Sequence, residues 1–438
     1  MDAVAGRSTG GILRREISLV SLVAIMIGLN IGGSLFLLTG IAAGLTGPSL
    51  FVAQIISALP ILLALVPYLM LSSAMPTTCA NYQYAKLFSR PLAVAAWMAL
   101  FVAIPIGMLP LFAIATAQLL GALIPELPTT ITAIVVMSLF YAINVIGIRA
   151  AAYTQLAAVA VLLAALGVFI AMGIPEVSAA RFAPLFPGGA FGIVAASALL
   201  YTLLAGGLFG IEMGDEVRDA RAVIPKALMI SVGVVLVIYL LIEIVAVGVM
   251  DWSIFAGGSL DDVAGVFLHG AWLTFFVVGG GITASVTTIN LALTAGGRYA
   301  LAFARDGYFP SFFGAINRRF GTPHYGLTLM YLMAVVTLCV NPPLQLLGAM
   351  LNFGLLFMIT LVLCTALTLP KRHPEVYRRS QFQFSRKVLA VMCLTAVSMN
   401  VVFMILLAAA LRWTFLIFVG AAVAGFILFY VAGKRPAA

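Results

Sequence analysis

Twelve long apolar segments constrain this chain most, because each holds enough consecutive hydrophobic residues to cross a lipid bilayer. They lie at about 19–43, 49–73, 92–122, 129–147, 150–173, 191–213, 228–250, 267–296, 325–341, 344–369, 388–410 and 412–432. Only 8% of the residues are charged, too few to cover the surface of a soluble protein. The sequence therefore predicts an all-α polytopic membrane protein with twelve transmembrane helices.

The first apolar segment is interrupted by three glycines and an asparagine between Gly28 and Ser34. Glycine costs a helix interior about 1 kcal/mol relative to alanine, and the free backbone groups of a broken membrane helix need partners other than lipid. Such a break presents free amides at the start of its second half and free carbonyls at the end of its first half. It can therefore hold a solute or an ion. Close helix packing through small residues is the alternative.

The sixth segment repeats this pattern between Leu204 and Glu212, five helices later. Because five is an odd number, the second unit enters the membrane from the opposite side, which makes an inverted repeat. We therefore predict repeat units at 19–173 and 191–369, followed by two further helices at 388–432. Paired glycine-rich interruptions favour a transport site between the first and sixth helices.

The basic residues predict the orientation of the chain. If the N-terminus is cytoplasmic, all of the 23 Lys and Arg residues except Arg181 and Arg412 fall on the inner side. The positive-inside rule then places both the N-terminal segment 1–18 and the tail 433–438 in the cytoplasm. The net charge of +9 thus describes orientation and implies no nucleic-acid partner. With no cleavable signal peptide in view, a plasma (inner) membrane location is expected.

No motif for an enzyme appears in the sequence. There is no P-loop, no Gly-x-Ser-x-Gly motif and no His/Cys metal set, and the four cysteines have no ligand-like spacing. We therefore expect no organic cofactor and no ATP-driven pumping, so that an ion gradient must supply the energy.

Five motifs, in order, resemble those of the amino acid/polyamine/organocation (APC) transporter superfamily. The stretch Ile31–Phe36 resembles I-G-S-G-I-F, Pro76–Tyr84 resembles P-x-x-G-G-x-Y-x-Y, and Phe209–Glu212 resembles x-G-F-E. The loop Glu216–Ala227 is similar to E-V-x-N-P…I-P-x-A, and Arg298–Pro310 to R…A-R-D-G-x-x-P. The resemblance implies a LeuT-like (APC) fold, in which a five-plus-five inverted repeat carries broken helices one and six.

The resemblance also implies a substrate site at the two breaks. The backbone amides of Gly33 and Ser34 are expected to hold a substrate carboxylate, because the start of a half helix favours an anion. Carbonyls of helices one and six are expected to accept hydrogen bonds from the ammonium group, and Gly206 and Gly207 are expected to leave open volume for the side chain. The remaining residues of this predicted site are Ile31, Gly32, Leu204, Ala205 and Phe209.

A co-transported sodium ion is predicted from helices one, five and eight. Many proton-coupled relatives carry a lysine on helix five, whereas Leu162 occupies that position here. Helix eight instead resembles the A-x-x-[ST]-[ST] pattern of sodium symporters. Together with two helix-one carbonyls this pattern offers five neutral oxygens, which suit a small hard cation. The predicted ligands are Gly28, Ile31, Ala284, Thr287 and Thr288. In the alternative, both threonines bond back to helical carbonyls.

Two acidic residues in apolar segments are functional candidates. Glu212 could form a gate with a basic residue, or be solvated at the cytoplasmic boundary. Glu243 could be a protonation site, a counter-charge for a cationic substrate, or a neutral hydrogen-bonding group between helices.

These observations predict a secondary active transporter that imports an amino acid by sodium symport through alternating access. One alternative is a proton-coupled or exchanging amino acid or amine transporter of the same fold. A transport-inactive amino acid sensor is the alternative from another class. The expected partners are the amino acid and membrane lipid, and both a monomer and a homodimer remain open.

Overall fold

A computed structural model describes Arg15 and residues 17–432. Most of the predicted N-terminal segment 1–18, and all of the tail 433–438, lie outside the described residues. The described chain is helical and contains no β-sheet. Its only extended pairings are two isolated bridges, which join Ile17 to Val217 and Thr78 to Met213.

The first predicted repeat unit folds into eight α-helices. They are α1 (Leu19–Asn30), α2 (Ser34–Thr46), α3 (Leu50–Ala74), α4 (Ala80–Phe88), α5 (Arg90–Ala103), α6 (Leu109–Leu123), α7 (Thr129–Ile146) and α8 (Ile148–Gly173). The π-helical turn Ile104–Met108 joins α5 to α6. It contains Pro105, which lacks the amide hydrogen that a regular helical turn uses.

The remainder of the described chain contains eleven further α-helices. They are α9 (Gly189–Ala205), α10 (Ala220–Val249), α11 (Trp252–Phe255), α12 (Leu260–Phe267), α13 (Ala271–Phe275), α14 (Thr283–Arg305), α15 (His324–Val340), α16 (Leu344–Arg372), α17 (Pro374–Arg379), α18 (Arg386–Ala410) and α19 (Arg412–Ala432). A second π-helical turn, Phe276–Ile282, joins α13 to α14 where three consecutive glycines lower helix stability.

Ten helical segments among the described residues are long and apolar enough to cross a membrane. Two of the twelve predicted spans contain shorter apolar helices: α1 has 12 residues and α15 has 17. The prediction of a polytopic all-α membrane protein is confirmed. The count of twelve spans and the inverted repeat stay predictions.

The interior is formed by α5, α6, α14 and α16. In the most apolar 18-residue stretch of each of these spans, 72–78% of the residues are buried, whereas 11% are buried in the corresponding stretch of α19. Trp97 of α5 packs on Tyr299 of α14 with the ring centroids 4.0 Å apart, and its other neighbour is Tyr82 of α4 at 5.2 Å. The core thus brings α14 against α4 and α5, while α19 presents most of its surface outward.

Candidate functional site

The break in the first span lies where the sequence predicts it. Helix α1 ends at Asn30, and α2 begins at Ser34 with Gly33 as its N-cap. The amides of Leu35 and Phe36 bond back to the carbonyls of Gly32 and Gly33. The amides that precede them, those of Gly33 and Ser34, therefore lie at the helix start, where no earlier turn supplies acceptors.

The sixth span differs from the predicted pair of half helices. Helix α9 ends at Ala205, and Gly206–Glu212 continues in the tighter 3₁₀ conformation. The Gly207 amide donates to Oδ1 of Asn30 at 2.6 Å. On the neighbouring helix α10, the Tyr239 hydroxyl donates to the Asn30 carbonyl oxygen at 2.6 Å. Asn30 therefore joins the two interrupted helices to α10.

Gly206 and Gly207 both lie close to the end of helix α1, and of the two only Gly206 lines the cavity described below. A Cβ atom on Gly206 would lie 2.2 Å from the carbonyl oxygen of Leu29, and one on Gly207 would lie 2.4 Å from Nδ2 of Asn30. Both positions thus require glycine because helix α1 approaches the backbone of the sixth span closely. That they leave room for a substrate side chain stays a prediction.

A cavity of about 650 Å³ lies beside the first break. Of the predicted substrate residues, five line it: Gly32, Gly33, Ser34, Gly206 and Phe209. The other four are buried and do not contribute to its wall: Ile31, Leu204, Ala205 and Gly207. Sequence reasoning named no residue of α5, α6 or α16 for this wall, since only the folded chain brings these helices to the break.

Four of the five predicted sodium ligands come together at the contact of α1 with α14. The Thr288 hydroxyl lies 3.4 Å from the Gly28 carbonyl oxygen and 3.1 Å from that of Ala284. The Thr287 hydroxyl donates to the same Ala284 oxygen at 2.8 Å. No hydrogen bond in the described chain joins the carbonyl of Ile31 to this group, and its place in the ion site stays a prediction. Both threonines thus make the helical back-bonds that formed the alternative interpretation.

A buried polar network continues from this contact along α14. Asn290 of α14 donates to Oε1 of Gln155 on α8 at 3.1 Å and accepts from Nδ2 of Asn144 on α7 at 2.8 Å. Thr294 donates to Oδ1 of Asn144. Gln155 also packs against Gly28, where an added Cβ would lie 2.0 Å from its Nε2 atom. The network therefore fixes α7, α8 and α14 next to the predicted cation ligands.

The two acidic candidates have surroundings that the sequence did not predict. Glu212 is fully buried and accepts from the side chain of Asn81 at 2.6 Å. Burial contradicts the solvated interpretation of Glu212. No described basic residue forms an ion pair with Glu212, and its role as a gate stays a prediction. Glu243 of α10 is also fully buried, and neither of its carboxylate oxygens has a hydrogen-bond partner in the described part of the chain. That excludes the interhelical hydrogen bond suggested for Glu243.

Beyond one end of the cavity, charged groups close the helix bundle. Glu216 and Arg298 form a bidentate ion pair, with N–O distances of 2.6 and 2.9 Å, and both side chains are at most 5% exposed. Lys86 pairs with Asp306 at 2.8 Å. The backbone of Ile17 bonds to the carbonyl of Glu216 at 3.0 Å. We call these five residues the clamp.

Residues of the clamp are chain neighbours of residues that line the cavity. Tyr299 lines the cavity, and its neighbour Arg298 belongs to the clamp. The thiol of Cys79 donates to the Arg298 carbonyl oxygen at 3.3 Å and is 2% exposed. Burial, with a smaller contribution from Glu212, raises the pKa of the Cys79 thiol. Burial and the Asp306 carboxylate raise the pKa of the Tyr82 hydroxyl, which donates to Asp306 at 2.7 Å.

These features define a class of protein. An interrupted helix beside a cavity, in a polytopic helical membrane protein, is the architecture of a secondary solute transporter.

Comparison with known proteins identifies the family. The amino acid permease family matches residues 17–432. The chain therefore belongs to the amino acid permease family, and its resemblance to the APC superfamily is confirmed.

Individual relatives agree with this membership. The chain is 24% identical over 405 residues to the branched-chain amino acid permease BcaP of Bacillus subtilis (strain 168), covering 86% of this chain and 85% of that protein. It is 26% identical over 400 residues to the methylthioribose transporter of the same organism, covering 86% of each. It is 26% identical over 337 residues to the vacuolar cationic amino acid transporter 4 of Arabidopsis thaliana, covering 71% of this chain and 56% of that protein. These relatives are transporters and not enzymes, and family membership supports amino acid transport.

Proposed function

We propose that the chain imports an amino acid by sodium symport through alternating access. The observation that carries this proposal is the cavity at the first break, because the start of α2 contributes Gly33 and Ser34 to its wall. Their amides suit a carboxylate, since a helix start carries partial positive charge. The substrate ammonium would lie on the opposite side of the break, near the last carbonyls of α1.

The co-transported sodium ion belongs, in this proposal, between α1 and α14. Its ligands would be the carbonyls of Gly28, Ile31 and Ala284 and the hydroxyls of Thr287 and Thr288. The support is that the Thr288 hydroxyl already lies within 3.4 Å of carbonyl oxygens on both helices. All five ligands are neutral oxygens, which need no deprotonation to bind a hard cation.

We further propose that both termini are cytoplasmic and that the clamp closes the cytoplasmic end. Basic residues at the clamp support this orientation. Lys86 is part of the clamp, and Arg218, two residues after Glu216, donates to the carbonyl oxygen of Arg15. The cavity would then face outward, in a plasma (inner) membrane. This is the orientation in which an importer receives its substrate.

Proton coupling is the second candidate, and Glu243 favours it. A buried carboxyl group without a hydrogen-bond partner is costly as an anion, so that a proton is its simplest counter-charge. In this alternative, uptake ignores sodium and responds to a pH gradient. Glu243→Gln would then abolish the response to pH while leaving substrate binding in place.

Thermal stabilisation of the purified protein tests substrate and ion together. The common amino acids are added one by one, with sodium or choline as the only monovalent cation. We expect stabilisation by an amino acid in sodium only, and its loss in the double variant Thr287→Ala plus Thr288→Ala. Thr337→Ala is the matched control, because Thr337 makes the same helical back-bond to Met333 on α15, away from the cavity.

The outcomes separate the candidates. Equal stabilisation in sodium and choline refutes sodium coupling and directs attention to Glu243. Uptake into proteoliposomes under an inward sodium gradient then distinguishes a transporter from a sensor, because a sensor binds its ligand but does not accumulate it. An amine that stabilises as well as the amino acids would refute carboxylate recognition.

A further inference from the structure

Resting on the proposed function, we infer a substrate class: the cavity takes amino acids with uncharged side chains, and Asn352 is the residue that determines this charge selectivity. Away from the start of α2, the cavity wall is apolar where α5, the π-helical turn that follows it, α6 and α16 line it. It is formed by Leu100, Ile104, Met108, Phe112, Leu351 and Leu355. Among the described residues that line the cavity there is no Asp, Glu, Lys, Arg or His.

A charged side chain therefore has no counter-charge once the cavity closes around it. An unpaired charge in an apolar, water-poor site is strongly disfavoured, whereas a neutral side chain gains by leaving water. The buried acids Glu212, Glu216 and Glu243 all lie outside the cavity lining, and the first two have polar partners. Glu212 accepts from Asn81, and Glu216 is held in two hydrogen bonds by Arg298.

Asn352 is the exception in this wall. It is 5% exposed and lines the cavity from α16, and its carboxamide oxygen has no hydrogen-bond partner in the described chain. The other carboxamide at the cavity, that of Asn30, has its oxygen occupied by the Gly207 amide. Asn352 thus provides a neutral hydrogen-bonding group among apolar neighbours, at a position where an acid would create a site for a cation.

The experiment measures binding of leucine, glutamine, lysine and glutamate to the full-length protein in sodium, by thermal stabilisation and by competition for uptake into proteoliposomes. In the wild type we expect leucine or glutamine to bind at least 100-fold more tightly than lysine or glutamate. Asn352→Asp should improve lysine binding at least tenfold and weaken leucine binding. Asn352→Leu should retain leucine binding and weaken glutamine binding.

Asn400→Asp is the matched control, because Asn400 is a buried asparagine of α18 outside the cavity wall. It should give no gain for lysine. Wild-type binding of lysine or glutamate as tight as that of leucine would overturn the substrate class. If Asn352→Asp folds without gaining lysine binding, or if Asn352→Leu leaves the leucine-to-glutamine ratio unchanged, the role of Asn352 is wrong. If no amino acid of any class binds, the proposed function itself fails.

Discussion

Breaking the buried ion pair of the clamp should open the end of the bundle that it closes. Glu216→Gln removes one charge from a pair whose side chains are at most 5% exposed and leaves the Arg298 guanidinium buried without a counter-charge. Removing one partner of a buried ion pair costs about 3–5 kcal/mol. The open conformation, in which water solvates Arg298, avoids this cost. At about 1.4 kcal/mol per tenfold change, the open population should rise by a factor of roughly 10² to 4 × 10³.

Cys79 reports this opening without an added label site. Its thiol is buried beneath Arg298, and burial raises its pKa, so that few thiolates exist in the closed state. Because the thiolate is the reactive form, alkylation requires opening. The assay is the initial rate of maleimide modification in a variant that lacks the other three cysteines, Cys339, Cys364 and Cys393. When opening is fast relative to modification, this rate follows the open population.

Lys86→Gln is the matched control. The Lys86–Asp306 pair belongs to the same clamp, but its side chains are 22% and 28% exposed, and such partly solvated pairs contribute at most about 1 kcal/mol. We expect its rate to rise no more than about fivefold by the same conversion. The reasoning is refuted if Glu216→Gln alkylates at the wild-type rate, or if Lys86→Gln accelerates modification as much as Glu216→Gln does.

Two further substitutions test the packing around the site. Gly206→Ala should destabilise the fold by about 1–3 kcal/mol and abolish ligand-induced stabilisation, because the new Cβ overlaps the Leu29 carbonyl oxygen at 2.2 Å. Gly233→Ala, which meets no atom within 4 Å, should raise the melting temperature slightly, and a loss of stability there would contradict this account. Asn144→Leu should lower the free energy of unfolding by about 1–3 kcal/mol for each group of the polar network that it leaves unpaired. The control Ser138→Ala, at a half-buried serine, should lower it by about 1 kcal/mol or less. Chemical unfolding measures both. Equal costs for these two would show that the network is not a special source of stability.

The helices and the first break were predictable because their signals are local. Apolar length identifies a span, and glycines between Gly28 and Gly33 identify an interruption, without knowledge of any other part of the chain. The close approach of the Leu29 carbonyl to Gly206 was not predictable. The sequence shows that Gly206 has no side chain, but it does not show which backbone packs against it. A glycine is equally consistent with open volume and with close approach.

The partners of the acidic residues were not predictable for a different reason. Glu212 bonds to Asn81 across 131 positions, and Glu216 pairs with Arg298 across 82. A hydrophobic pattern specifies which face of a helix is buried, but it does not specify which two polar groups meet inside. One of the two sequence interpretations paired Glu212 with a basic residue, whereas the structure has its buried ion pair at Glu216, four residues later.

The segment Gly206–Glu216 connects the cavity to the clamp within eleven consecutive positions. Gly206 and Phe209 line the cavity, and Glu216 pairs with Arg298 at the closed end. Helix α1 also connects the cavity to the clamp. Ile17, which precedes α1, bonds to Glu216 of the clamp, and Asn30, the last residue of α1, accepts from the Gly207 amide. Two short segments thus each contact both regions and are bonded to each other at both ends. In the proposed transport cycle, a solute that displaces either segment at the cavity also displaces backbone groups that are bonded to the clamp. These bonds are a physical route by which occupancy of the cavity can bias the clamp between its closed and open states.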